Sequence, residues 1–105
     1  MSRAFFDTNV LLYGYAADDR RSGRAQELIE LGGAISVQCL NEFASVARRK
    51  LGMSWERTNE ALAVITSLCD PIVTLDVALH RQGLMVAEAS NLSIYDSMII
   101  AAALM

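Results

Sequence analysis

Three short apolar runs separated by long stretches of helical period constrain this chain more than any other feature. Arg3–Phe6, Ala34–Val37 and Ile72–Leu75 have the length and composition of buried strands. Between them the spacing predicts helices. Ala25, Leu28, Ile29 and Gly32 share one face of a helix that Ser22 can cap, and Gly32-Gly33 closes it. Leu40, Phe43, Ala44, Ala47 and Leu51 form the stripe of a helix lying on a sheet, with Gly52 at its end. Ser54 can cap the next helix, which turns Leu62, Ile65 and Cys69 inward and stops at Asp70-Pro71. Thr74 or Asp76 opens a helix with Val77, Leu84 and Ala87 on its inner face and Asn91 as a left-handed close. Ser93 opens the last one, Ile94 to Leu104. Strands joined through helices require right-handed crossovers. The expected fold is therefore α/β, a three-layer α/β/α sandwich around a short parallel sheet.

A chain of 105 residues makes a single domain, residues 1–105, with room for one core. Its apolar fraction of 53% is high for that size, which suits strands buried on both faces and some surface meant for a partner. No apolar run approaches the roughly 20 residues that cross a bilayer. The start Met1-Ser2-Arg3 leads only into three apolar residues before Asp7, unlike a signal peptide, so a cytoplasmic protein with no membrane association is expected. Cys39 and Cys69 lack any ligand spacing and read as core residues. A net charge of −3 argues against an indiscriminate nucleic-acid binder but not against a nuclease. The positive charge gathers at Arg20, Arg21 and Arg24 and at Arg48-Arg49-Lys50. Guanidinium forks suit phosphate oxygens, so these arginines are candidate substrate contacts, although solvated helix faces account for them equally well.

Chemistry points to three acids. Asp7, in Asp7-Thr8-Asn9, stands where the first strand gives way to a helix, at the strand end where open α/β sheets form their crevice. Glu42 and Asp96 each stand near a predicted helix start. Each has an ordinary explanation: Asp7 as a helix cap, Asp96 in the Ser-x-x-Asp pattern of a capping box, Glu42 as a solvated helix residue. Brought together, they make a hard-cation site for Mg²⁺ or Mn²⁺. With one histidine, His80, and two unspaced cysteines, zinc is a poor fit. Such an ion orients a phosphodiester, activates a water and stabilises the leaving oxygen, which makes phosphodiester hydrolysis the natural chemistry. Thr8 and Asn9 can support it through hydroxyl and amide groups. An aspartyl-phosphatase reading would want a second aspartate where Asn9 stands. His80 reads as a partly buried, hydrogen-bonded residue on the stripe of Val77, Leu84 and Ala87, and Met53, Met85, Met98 and Trp55 as packing residues.

The stretches Phe5-Phe6-Asp7-Thr8-Asn9-Val10-Leu11-Leu12-Tyr13, Ile35-Ser36-Val37-Gln38-Cys39-Leu40-Asn41-Glu42-Phe43 and Leu92-Ser93-Ile94-Tyr95-Asp96-Ser97-Met98-Ile99-Ile100-Ala101-Ala102-Ala103 give the chain its likeness to a known family. In order and spacing it resembles PIN-domain ribonucleases, in particular VapC-like toxins of bacterial toxin–antitoxin pairs. The resemblance implies that Asp7, Glu42 and Asp96 are the first three acidic metal-site residues of a Mg²⁺- or Mn²⁺-dependent endoribonuclease. It further implies an RNA substrate, a cognate antitoxin and a homodimer. The family continues into another strand bearing a fourth acid, which this chain lacks. That strand lies beside the first one, so Arg3–Phe6 is expected at an open sheet edge prone to self-association. The alternative reading is a catalytically inactive PIN-like remnant that acts through dimerisation or antitoxin binding.

Overall fold

The computed structural model describes residues 4–15 and 21–104, so Arg3 and Arg20 lie outside the described residues. The elements run α1 (Thr8–Tyr15), α2 (Ser22–Leu31), β1 (Ile35–Ser36), α3 (Val37–Arg49), α4 (Trp55–Leu68), β2 (Ile72–Val73), α5 (Val77–Ser90) and α6 (Ile94–Ala103). The β1 and β2 strands pair in parallel, Ile35 opposite Ile72 and Ser36 opposite Val73. On the other side of β1, Phe5 forms a parallel bridge with Ala34, through Phe6 N–H to Ala34 O at 2.9 Å and Ala34 N–H to Ala4 O at 2.7 Å. The segment preceding Asp7 is thus an edge, bordered on one side only among the described residues.

Alternation along these segments divides the core. Phe6 and Ile72 face a large cluster built from α1 to α4, in which Leu11, Ile35, Cys39, Phe43, Ala47 and Ile65 are fully buried. Phe5 and Val73 face the opposite way, toward Leu79 of α5 and Ala101 and Ala102 of α6. Neighbouring strand residues point to opposite faces, so helices cover both sides of the sheet, as a three-layer sandwich requires. Both cysteines are buried, and burial pushes the Cys69 thiol above its usual range. Tyr15 packs edge-on against Phe43, ring centres 5.5 Å apart.

The strands are shorter than the apolar runs. The first run yields only the bridge at Phe5; in the second, the Ser36 side chain accepts from Cys39 N–H and so starts α3 at Val37. The third run ends at Val73, before the cap Asp76, whose carboxylate accepts from Leu79 N–H at 2.7 Å. Gly32 closes α2 at φ 82°, and a Cβ on Gly33 would stand 2.9 Å from Ala4 O, so the approach of the first run to β1 requires a glycine there.

Five expectations need correction. Arg21, not Ser22, occupies the N-cap of α2, and no side chain caps it. On α3 Cys39 is buried with Phe43 and Ala47, while Leu51 is exposed. On α5 the inner face is Leu79 and Gly83, leaving Val77 and Leu84 63% and 48% exposed. The cause is close packing: a Cβ on Gly83 would lie 2.8 Å from Met98 Cγ, so α6 sits against the glycine and turns the larger residues outward. His80, expected to be partly buried, is exposed for the same reason. Met53 is buried and Met98 half-buried, as packing residues should be, but Met85 and Trp55 are exposed. Among the described residues no helix is long and apolar enough to cross a membrane.

Candidate active site

Asp7 ends the first run, and its Oδ1 accepts from Val10 N–H at 3.2 Å, capping α1. The cap leaves the carboxylate exposed at the strand end. Ser36 caps α3, and Glu42 follows in its second turn, half-buried beside the inward Phe43. Ser93 caps α6 by accepting from Asp96 N–H at 3.1 Å, which places Asp96 in the first turn. There the positive end of the helix favours an anion. Three different caps thus aim three acids, and capping and a second use of the carboxylate coexist at Asp7.

The three border one cavity. A cavity of about 390 Å³ is lined by Asp7, Thr8, Asn9, Leu12, Glu42, Ser45, Val46, Arg49, Asp96 and Ile99. Buried Thr8 donates its hydroxyl to Glu42 Oε2 at 2.6 Å, and Gln38 Nε2 donates to Glu42 Oε1 at 3.3 Å, so both oxygens of Glu42 are held. Replacing Thr8 by Val keeps the shape and removes the donor. The expected loss is about 1–2 kcal/mol in urea denaturation, with Thr8→Ser recovering most of it. Such a loss would show that the hydroxyl holds the glutamate rather than filling space.

Oxygen donors of this kind suit a hard divalent ion: three carboxylates, two hydroxyls and an amide, with no thiol or imidazole among the described residues of the cavity wall. Among the described residues, however, no three acidic, histidine or cysteine side chains stand close enough to hold one ion together. The acids share a cavity without converging on a single point.

The polar residues of α3 that sequence reasoning passed over are Gln38 and Ser45. Gln38, Glu42, Ser45 and Arg49 follow one another at helical spacing, a polar stripe beside the buried stripe of Cys39, Phe43 and Ala47. That periodicity was the available signal. Of the other arginines, Arg21 lies over the Tyr13 ring at 3.9 Å and donates to its hydroxyl, and exposed Arg24 pairs with Glu27 at 3.3 Å. Arg48 donates to Met53 O at 2.7 Å and stacks on Trp55 at 4.3 Å.

Comparison with known proteins agrees with the fold. The structure resembles the crystal structure of Mycobacterium tuberculosis VapC20, a sarcin–ricin loop cleaving toxin, with a TM-score of 0.70 and 23% identity. The likeness spans 92% of this chain and 78% of that one. No curated protein matches the sequence. The family model of the PIN domain matches residues 4–105, from the strand that carries Asp7 to the helix that carries Asp96. The chain belongs to the PIN domain family.

Proposed function

We propose that the chain is a metal-dependent endoribonuclease of the VapC toxin type, hydrolysing RNA phosphodiester bonds in the cavity shared by Asp7, Glu42 and Asp96. The observation that carries this reading is that acids from three separate caps line one cavity. Asp7 and Asp96, the two exposed carboxylates, would hold Mg²⁺ or Mn²⁺, with Glu42, fixed by Thr8 and Gln38, supporting the ion or its water. When bound, the ion supplies an activated water and charge stabilisation at the leaving oxygen. Thr8 orients Glu42, and Asn9 offers an amide to water or phosphate. The family relationship and the likeness to VapC20 support RNA as substrate and a small antitoxin as partner. The exposed Val77, Leu84 and Met85 support self-association.

The purified protein is expected to cleave RNA in Mg²⁺ or Mn²⁺, to stop on addition of EDTA and to resume when the metal is restored in excess. Cleavage undiminished by EDTA would refute metal dependence. One other reading is a catalytically silent PIN domain that acts by dimerisation or antitoxin binding; among the described residues no three ligand side chains stand together. Calorimetry with Mn²⁺ separates the two: saturable binding lost in Asp96→Asn supports the nuclease, and no binding supports the silent domain.

A further inference from the structure

We infer that Arg49 is the residue that takes an RNA backbone phosphate at the acidic cavity, and that its neighbour Arg48 is not a substrate contact. The inference rests on the ribonuclease reading and names how that site tolerates a polyanion. Among the described residues Arg49 is the only basic one on the cavity wall, beside Asp7, Glu42 and Asp96. It forms no ion pair with them or with any other acid among the described residues. Instead its Nε donates to Ser45 Oγ at 3.0 Å, one turn back on α3 and also on the wall. Holding Nε fixes the plane of the guanidinium, and the two terminal nitrogens remain a free fork, the geometry that matches phosphate oxygens.

Formal charge argues the same way. Three carboxylates repel a phosphodiester, and a dication removes only two of their three charges. With Arg49 the loaded cavity has no net formal charge, and the strand meets no residual repulsion. Arg48 cannot share this role in its present place. Its guanidinium is committed to Met53 O and to the face of Trp55, where it ties the end of α3 to the start of α4. Adjacent arginines on a helix point about 100° apart, so one faces the cavity and the other the interhelical turn.

The test uses the Asp7→Asn protein, which is expected to bind RNA without cutting it, and a fluorescein-labelled stem–loop RNA with a random-sequence loop. Binding is followed by anisotropy over a range of KCl concentrations in constant Mg²⁺. Arg49→Gln in this background is expected to weaken binding severalfold and to reduce the slope of log K against log salt by about 0.7–0.9, the loss of one phosphate contact. Arg49→Lys, which keeps the charge, should retain the slope. Arg48→Gln should lower the melting temperature and leave the slope alone. If the Asp7→Asn protein binds RNA and Arg49→Gln has an unchanged slope, the role of Arg49 is overturned while the nuclease reading stands. If neither the Asp7→Asn protein nor the unsubstituted protein with Ca²⁺ in place of Mg²⁺ binds RNA, both are overturned.

Discussion

Asp7→Asn is expected to reduce metal-dependent RNA cleavage by about 10²–10³-fold or more, the scale on which an enzyme suffers when one charge-stabilising contact is lost from the reacting centre. The fold should survive. The structural duty of Asp7 is to accept a hydrogen bond from Val10 N–H, and asparagine caps a helix as well as aspartate does. Thermal unfolding should therefore shift by only a few degrees, corresponding to less than about 1 kcal/mol. A variant that melts normally and has lost cleavage and Mn²⁺ affinity together assigns the carboxylate to the ion. One that melts normally and cleaves at the original rate removes Asp7 from the chemistry and leaves it a cap.

Phe43→Ala should have the largest effect on stability, about 3–5 kcal/mol, because it empties the largest fully buried side-chain volume among the described residues. Phe43 packs in the cluster of α1 to α4 and against the Tyr15 ring, so its removal opens a void bordered by several elements. Domains of this size are stable by about 5–15 kcal/mol in total. A loss of that order approaches the whole reserve, and urea denaturation should show a midpoint near zero denaturant or an already unfolded baseline. Glu42 precedes Phe43 on α3, so the same change disturbs the cavity wall. A loss below about 1 kcal/mol would mean that this ring is not the keystone of the larger core.

What was legible in the sequence was local or tied to strand ends. Ser54, Asp76, Ser93 and Asn91 act at helix ends as their residue types predict, because a cap depends on its own side chain and three or four neighbours. The gathering of Asp7, Glu42 and Asp96 in one cavity followed from where parallel strands open, and PIN membership from the three motifs. The inner face of α5 was not legible. Its sequence offers apolar residues all round, and the choice among them was made by Gly83, whose missing side chain admits Met98. A contact between two helices cannot be read from the periodicity of one. Strand length failed for a related reason: Ser36 satisfies a β pattern equally well, but as a cap it hands the chain over to α3.

The one-sided attachment of the segment Ala4–Phe6 bears on how the cavity behaves. Asp7 follows a segment tied to β1 by the hydrogen bonds Phe6 N–H to Ala34 O and Ala34 N–H to Ala4 O, while Glu42 and Asp96 ride on capped helices. A short segment held by few backbone hydrogen bonds can open locally at less than the free energy of global unfolding, and opening here would take the carboxylate away from the other two. A cation that ties Asp7 to Asp96 would then act as a clasp, with part of its binding free energy spent on stiffening the strand. Slowed amide exchange at Phe6 on metal loading would be its signature.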